Sequence, residues 1–205
     1  MYPMSAGQFD AYKAQELASL KQQKRRELSR ARQQLQPSQL ASFNHAIMKH
    51  LTALIKKLDA TKVAAYCADP QEPGGTDLVP TLSLLGMSLW LPVSRPQGIL
   101  EWGLYTHPDS LKPGAFGILE PAGPYRPSRD VLPTLDLIVV PALGATPEGI
   151  RIGKGAGYYD RALEGSHTPT VLLLFDSEID PTIPYEAHDA LTDFIITPSG
   201  TSTHR

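Results

Sequence analysis

The densest chemistry in the chain lies between Val139 and Leu163, in VVPALGATPEGIRIGKGAGYYDRAL. An apolar run ends at Pro141, a turn-rich segment follows, and Gly153, Gly155 and Gly157 alternate ahead of an amphipathic helix. Glycines let backbone N–H groups approach an anion closely, and a helix N-terminus adds partial positive charge. Arg151 and Lys154 put formal charge at the same place. By physical logic this is a phosphate cradle. It is not a Walker A loop, because Gly149 lies one residue too close to Gly153 and Gly155 stands where a hydroxyl belongs. Nor is it a dinucleotide fingerprint, since the spacing is G-x-G-x-G. A ligand-free strand-to-helix turn is the alternative; the two basic residues and the adjacent Tyr-Tyr-Asp weigh against it.

Asp160 sits just inside the helix that follows. Beside a phosphate, a carboxylate is a natural magnesium ligand, because Mg²⁺ takes a few hard oxygens together with the phosphates. A helix-start aspartate stabilised by the macrodipole fits the spacing equally well. Tyr158 and Tyr159 could pack in the core, stack on a flat heterocycle, or divide those jobs.

The elements that must position this turn follow from periodicity. Apolar runs at Val63–Cys67, Leu89–Val93, Ile99–Tyr105, Leu137–Val140, Val171–Phe175 and Phe194–Ile196 read as strands. LIVV and VLLLF are apolar at every position, as expected of strands covered on both faces. Helix-compatible stretches around Thr76–Leu85 and Gly157–Leu163 lie between them, so the body is a three-layer α/β/α fold on a mainly parallel sheet. Residues 106–133, rich in proline, read as an ordered loop. Before the body, Leu17, Leu20, Leu28 and Leu35 recur at near-helical spacing, and Pro37 ends that helix. Phe43, Ile47, Leu51, Leu54 and Leu58 mark a second helix. The expected organisation is one domain over 1–205: an N-terminal helical hairpin over 1–60, the α/β body over 61–198, and a frayed tail over 199–205.

Charge divides the same way. Residues 1–62 carry a balance of +7 and the remainder −9, for the net −2 of the 205-residue chain. The basic helix is a solvated face, a face docked on the acidic body, or a reach toward an anionic ligand. An acidic body without a basic surface interleaved with aromatics argues against a nucleic-acid-binding module. No apolar run approaches the roughly 20 residues of a membrane span. The single cysteine excludes an internal disulfide and a Cys-rich zinc site. With no secretory signal at Met1 to Lys13, the expected setting is the cytoplasm. Cys67 ends an apolar strand and reads as a buried structural thiol. His45 and His50 read as surface residues, and Glu101 and Glu120 as structural.

RIGKGAGYYDR resembles the signature of the 5-formyltetrahydrofolate cyclo-ligase family, also called methenyltetrahydrofolate synthetases. The similarity runs over most of the chain, through KQQKR, AAYCADPQEPGGT, LWLPV, ILEWGLY, GILEPAG, the glycine turn and IPYEAHDALTDFIITP. The resemblance implies a reaction in which ATP and 5-formyltetrahydrofolate give 5,10-methenyltetrahydrofolate, ADP and phosphate, with Mg²⁺ required. It implies small-molecule substrates, no nucleic-acid or membrane partner, and a monomer. The alternative is a relative with the same nucleotide fold and another metabolic or salvage role.

By position, the resemblance implies that Lys21 and Arg25, one helical turn apart, contact ATP phosphates. It assigns the nucleotide loop to Arg151, Ile152, Gly153, Lys154, Gly155, Ala156, Gly157, Tyr158 and Tyr159, with Lys154, Arg151 and Tyr158 carrying catalysis. Lys154, Gly155, Gly157 and Tyr158 also border the folate. Glu72 corresponds to a folate contact and Cys67 to a neighbouring substrate-lining position, while Trp102 and Tyr105 are candidates for the aromatic wall of the folate pocket. Asp160 and Asp189 correspond to the magnesium-associated aspartates, with Asp193 the alternative to Asp189 and His188 a candidate nucleotide contact. The chain departs from the family pattern at EPGGT, one residue longer after Glu72, and at Ala156, where glycine or a longer residue is common.

Overall fold

The computed structural model describes residues 6–186 and 189–204, with side chains from Tyr12 onward. Two helices open the chain, α1 (Ala6–Gln33) and α2 (Pro37–Lys57). Strand β1 (Lys62–Ala64) leads through α3 (Leu78–Ser83) to β2 (Ser88–Arg95) and β3 (Ile99–Leu104). Then come the short strands β4 (Leu111–Pro113), β5 (Leu119–Pro121) and β6 (Tyr125–Pro127), helix α4 (Ser128–Val131) and strand β7 (Leu137–Val140). A small ladder of β8 (Gly144–Ala145) and β9 (Arg151–Ile152) precedes α5 (Tyr158–Leu163), and β10 (Thr170–Leu173), β11 (Phe194–Thr197) and β12 (Gly200–Thr203) complete the chain.

The main sheet runs β12-β11-β10-β7-β1-β2-β3-β6. Its five central strands, β11 to β2, are parallel, and antiparallel strands flank them on both sides. β7, the LIVV run, is buried at all four residues, because alternate side chains serve alternate faces. Val63, Leu137, Val139, Val171 and Leu173 face the core under α2 and α3. Ala64, Ile138, Val140, Leu172 and Leu174 face the opposite core with Val131, Leu132 and the α5 residues. The expected three-layer arrangement is thus observed. From β1 the chain winds outward to β2 on one side, and from β7 to β10 and β11 on the other. The adjacent strands β1 and β7 therefore form the topological switch point, where loops after the carboxyl ends of strands diverge and leave a crevice.

Three expectations at the periphery are corrected. α1 ends at Gln33, and Pro37 instead begins α2, where its missing N–H costs nothing and its fixed φ suits a first helical turn. The 199–205 segment is not frayed through its length, since Gly200–Thr203 pairs antiparallel with β11 and Thr201 and Thr203 supply β-branched residues suited to a strand. Residues 106–133 hold three short strands, 3-10 turns at Pro108–Ser110 and Ala115–Gly117, and α4.

α1 departs most from the apolar reading. Leu20 is about half exposed, and among the described α1 side chains only Leu28 and Arg32 are buried. Its docking stripe is Lys21, Lys24, Arg25, Leu28 and Arg32, spaced to lie on one helical face. Lys21 pairs with Asp189 at 2.9 Å and Glu186 at 3.2 Å, and Lys24 with Asp180 at 3.0 Å. Arg32 makes a buried pair with Glu178 at 2.6 Å. The basic face is docked on the acidic body.

Candidate active site

The loops leaving β1 and β7 meet at the switch point. After β1, the Tyr66 hydroxyl donates to the Pro73 carbonyl at 3.0 Å, and the Gly74 N–H donates to Asn44 Oδ1 of α2 at 2.9 Å. The Asp69 N–H donates to Glu72 Oε2 at 3.0 Å. These three bonds fix a loop in which Glu72 is buried, 7% exposed. Gly74 (φ 91°) and Gly75 (φ 56°) in EPGGT both take positive φ, a conformation glycine adopts without strain. Lys154, from the loop after β7, reaches across to Glu72 Oε1 at 2.6 Å and lies 3.9 Å from Asp69 Oδ2.

The glycine turn is braced from three directions. From α1, Arg25 Nε donates to the Gly153 carbonyl at 2.9 Å. Arg161 donates to the Ala156 and Gly98 carbonyls, and the Tyr158 hydroxyl donates to the Arg95 carbonyl at 3.0 Å. Arg151 pairs with Asp160. Gly155 (φ 98°) and Gly157 (φ 71°) are left-handed, and a Cβ on Gly155 would lie 3.2 Å from the Arg25 guanidinium. Ala156 is not among the positive-φ residues, so its methyl is accommodated. Gln22, Arg25, Arg26, Ser29, Arg30 and Lys154 line an open groove of about 400 Å³ along α1, with Leu143 in its wall. Three guanidinium groups at this groove suit a polyanion, while the Lys154 ammonium at its end is engaged by Glu72.

The structure brings together Arg25, the 151–158 turn and Glu72. It directs Lys21 to the Asp189–Glu186 pair, where burial opposes its charge but the two carboxylates outweigh it and hold the ammonium above its usual pKa. Ile152 is buried with Leu28, Leu143 and Ile183, so its side chain anchors α1 to the turn. Tyr159 packs against the core of the sheet, its hydroxyl buried with no hydrogen-bond partner among the described residues; burial pushes its pKa well up.

The expected aromatic wall is corrected. Trp102 is fully buried, donates its indole N–H to Ser128 Oγ at 2.9 Å and meets Tyr159 edge-on at 6.3 Å. It supports the turn from beneath and has no surface to offer a ligand. Tyr105 is likewise buried, in the core under α2. The exposed ring beside the turn is Phe116, 76% exposed on the β4–β5 hairpin and edge-on to Tyr158 at 6.2 Å. Its signal in the sequence is an aromatic residue between small ones, GAFG, where burial offers no reason for it. Cys67 is half-buried, and burial pushes its thiol up to about 11, as a structural thiol requires.

Among the described residues no three His, Cys, Asp or Glu side chains converge as a metal cluster. Asp160, largely exposed at the end of the turn, offers a hard oxygen to a cation that brings its own phosphates and waters. Asp189 is bound to Lys21 and accepts the Glu186 N–H. Asp193 accepts from the Thr170 N–H and hydroxyl, each at 2.8 Å, at the amino end of β10. The glycine turn follows the carboxyl end of β7, with which β10 is parallel, so Asp193 belongs to the opposite end of the strands. His188 lies outside the described residues.

Comparison with known proteins adds the family. The profile of the 5-formyltetrahydrofolate cyclo-ligase family matches residues 18–198. A 5-formyltetrahydrofolate cyclo-ligase of Mycolicibacterium smegmatis is 37% identical over 149 residues, covering 69% of this chain and 76% of its own. One from Escherichia coli K12 is 30% identical over 189 residues, covering 86% and 96%. The solution structure of the Aquifex aeolicus 5,10-methenyltetrahydrofolate synthetase superposes with a TM-score of 0.76 at 28% identity, over 91% of this chain and 93% of that one. The Mycoplasma pneumoniae 5,10-methenyltetrahydrofolate synthetase, at 17% identity and a TM-score of 0.69, shares the fold.

Proposed function

The chain belongs to the 5-formyltetrahydrofolate cyclo-ligase family, and from that premise we propose that it closes 5-formyltetrahydrofolate to 5,10-methenyltetrahydrofolate at the expense of ATP. A formamide carbonyl is a poor electrophile, because the nitrogen lone pair is delocalised into it. Transfer of the γ-phosphoryl group to the formyl oxygen makes that oxygen a leaving group and the carbon iminium-like. N10 of the same folate then attacks and gives up its proton to solvent, the five-membered ring closes and phosphate departs. The substrate supplies both nucleophiles, so the protein's work is positioning and neutralising charge.

The observation that carries this reading is the contact between Glu72 and Lys154 at the switch point. It puts a buried carboxylate, suited to pterin N–H donors, within one side chain of a phosphate-binding turn. In this reading the triphosphate lies in the α1 groove, its terminal phosphate against Lys154, Arg25 and the backbone of 153–157. The pterin lies on the other side of Lys154, with Phe116 and Tyr158 against its face and Glu72 at its edge. Lys154 then sits where the phosphoryl group crosses from one substrate to the other. Arg151 orients Asp160. Mg²⁺, held through Asp160, would supply neutralisation of the triphosphate charge. Lys21 acts on this site through the Asp189 segment.

All these residues come from one chain, so a monomer suffices. No described helix is long and apolar enough to cross a membrane. The test is near-UV absorbance of methenyltetrahydrofolate with purified protein, (6S)-5-formyltetrahydrofolate, ATP and Mg²⁺. A rise that needs both ATP and Mg²⁺ is expected. A flat trace from folded protein that still binds ATP would overturn the reaction and favour a relative with another substrate.

A further inference from the structure

Glu72 and Lys154 are individually accounted for by the two substrate sites, yet in the free protein they are spent on each other. Lys154 Nζ lies 2.6 Å from Glu72 Oε1, while the other carboxylate oxygen accepts the Asp69 N–H. Glu72 is buried and its loop is fixed by Tyr66 and Asn44, whereas Lys154 is more than half exposed on a turn of glycines. The carboxylate is therefore the immobile partner and the lysine the mobile one. A buried carboxylate stripped of its partner is strongly disfavoured, so Lys154 leaves Glu72 readily only when another donor takes its place.

We propose that this ion pair is an interlock between the two sites, with Glu72 positioning Lys154 away from the nucleotide until a folate arrives. This rests on the function proposed above. The N–H donors of the pterin satisfy Glu72 and release Lys154, whose ammonium then turns to the terminal phosphate. A nucleotide arriving alone must either forgo Lys154 or leave Glu72 unpaired. Each substrate therefore tightens the other, by the same factor in both directions, as linkage requires. The interlock also keeps the lysine off the γ-phosphate when there is no formyl oxygen to receive the phosphoryl group, which disfavours idle transfer to water.

The test is calorimetric titration of the full chain with the non-hydrolysable β,γ-imido analogue of ATP and Mg²⁺, with and without (6S)-5-formyltetrahydrofolate. In the wild type, folate is expected to tighten analogue binding about tenfold, within the usual range of site-to-site coupling. Glu72→Gln keeps an acceptor for the Asp69 N–H but removes the charge that retains Lys154. It should bind the analogue about tenfold more tightly than the wild type in the absence of folate, although the altered residue lies on the folate side. Folate should then add nothing. Analogue affinity in the wild type that ignores folate overturns the interlock, as does a folded Glu72→Gln protein that binds the analogue no more tightly. If Glu72→Gln fails to fold, the wild-type comparison and Lys154→Met, expected to lose the folate dependence, decide the matter. Turnover in the absorbance assay with no coupling sinks the interlock alone; absence of both turnover and analogue binding sinks the function as well.

Discussion

Arg32 and Glu178 form a two-pronged ion pair in the interior, Nε to Oε1 at 2.6 Å and Nη2 to Oε2 at 2.8 Å. Arg32 also donates to the Ala142 carbonyl at 3.1 Å, and Glu178 accepts the Phe175 N–H at 2.9 Å. One α1 side chain thus ties the helix to the loop leaving β7 and to the turn after β10. Two turns earlier on the same helix, Arg25 reaches the glycine turn, so the anchor at Arg32 fixes the height at which Arg25 arrives. Arg32→Ala would leave Glu178 buried without its cation, at a cost of about 3–5 kcal/mol. Replacing both residues with Met should recover most of that, because nothing charged is then left buried. Urea denaturation of the three proteins checks the order. A double variant no more stable than Arg32→Ala would show that the pair is not the source of the loss.

Gly155 and Ala156 are neighbours with opposite tolerances. Gly155→Ala places a methyl at a left-handed φ and 3.2 Å from the Arg25 guanidinium, where backbone strain costs about 1–3 kcal/mol. The turn should relax away from Arg25, raising KM for ATP about tenfold with little change in KM for the folate. Ala156→Gly should stay within about twofold of wild type in both constants, since Ala156 needs no special conformation. Steady-state kinetics with each substrate varied in turn separates the two outcomes.

These contrasts mark what the sequence discloses. LIVV and VLLLF announce strands covered on both faces, and the glycine turn is visible because its residues are contiguous. α1 was harder. Its leucines give the periodic signal, yet Leu20 stays half exposed and the true docking stripe is cationic. The partners Asp180, Glu178 and Asp189 stand 146 to 168 residues away in sequence, and no local pattern encodes such pairings. Trp102 is expected at the pocket wall and Phe116 is not singled out, for a similar reason. An aromatic residue in an apolar strand and one in a glycine-proline hairpin look equally available until burial is known.

Phe116 makes the exposed ring a direct test. At 76% exposure it contributes little to the core, so Phe116→Ala should leave the melting temperature almost unchanged. If it stacks on the pterin, the loss is about 1 kcal/mol, or a rise of about fivefold in KM for 5-formyltetrahydrofolate with KM for ATP unmoved. Trp102→Ala should do the reverse, costing about 3–5 kcal/mol of stability through the cavity it leaves. A Phe116→Ala enzyme with unchanged folate kinetics would remove that ring from the site.

Cys67 should be chemically silent while the protein is folded. Burial, with a smaller contribution from Glu120, raises its thiol pKa to about 11, so almost no thiolate exists at pH 8. Iodoacetamide at that pH should label the urea-unfolded chain far faster than the native one, as mass spectrometry would record. Fast labelling of native protein would mean that the β1 loop opens readily.

The docking of α1 should weaken in acid. Asp180 is held down at about 2 by the Thr182 hydroxyl and N–H and by Lys24, against about 3.9 for a free aspartate. Its folded pKa is depressed, so the stability it contributes is fully present above about pH 4 and is lost as pH falls toward 2. Asp136, which accepts the Thr61 and Lys62 N–H groups at the amino end of β1, is lowered in the same direction. It secures the body, whereas Asp180 secures α1. Asp180→Asn should therefore flatten the acid limb of nucleotide-analogue binding between about pH 4 and 2, while Asp136→Asn flattens that of global unfolding followed by circular dichroism. An acid limb of analogue binding untouched by Asp180→Asn would mean that the Lys24 contact does not hold the helix, and that Lys21, Arg25, Leu28 and Arg32 do.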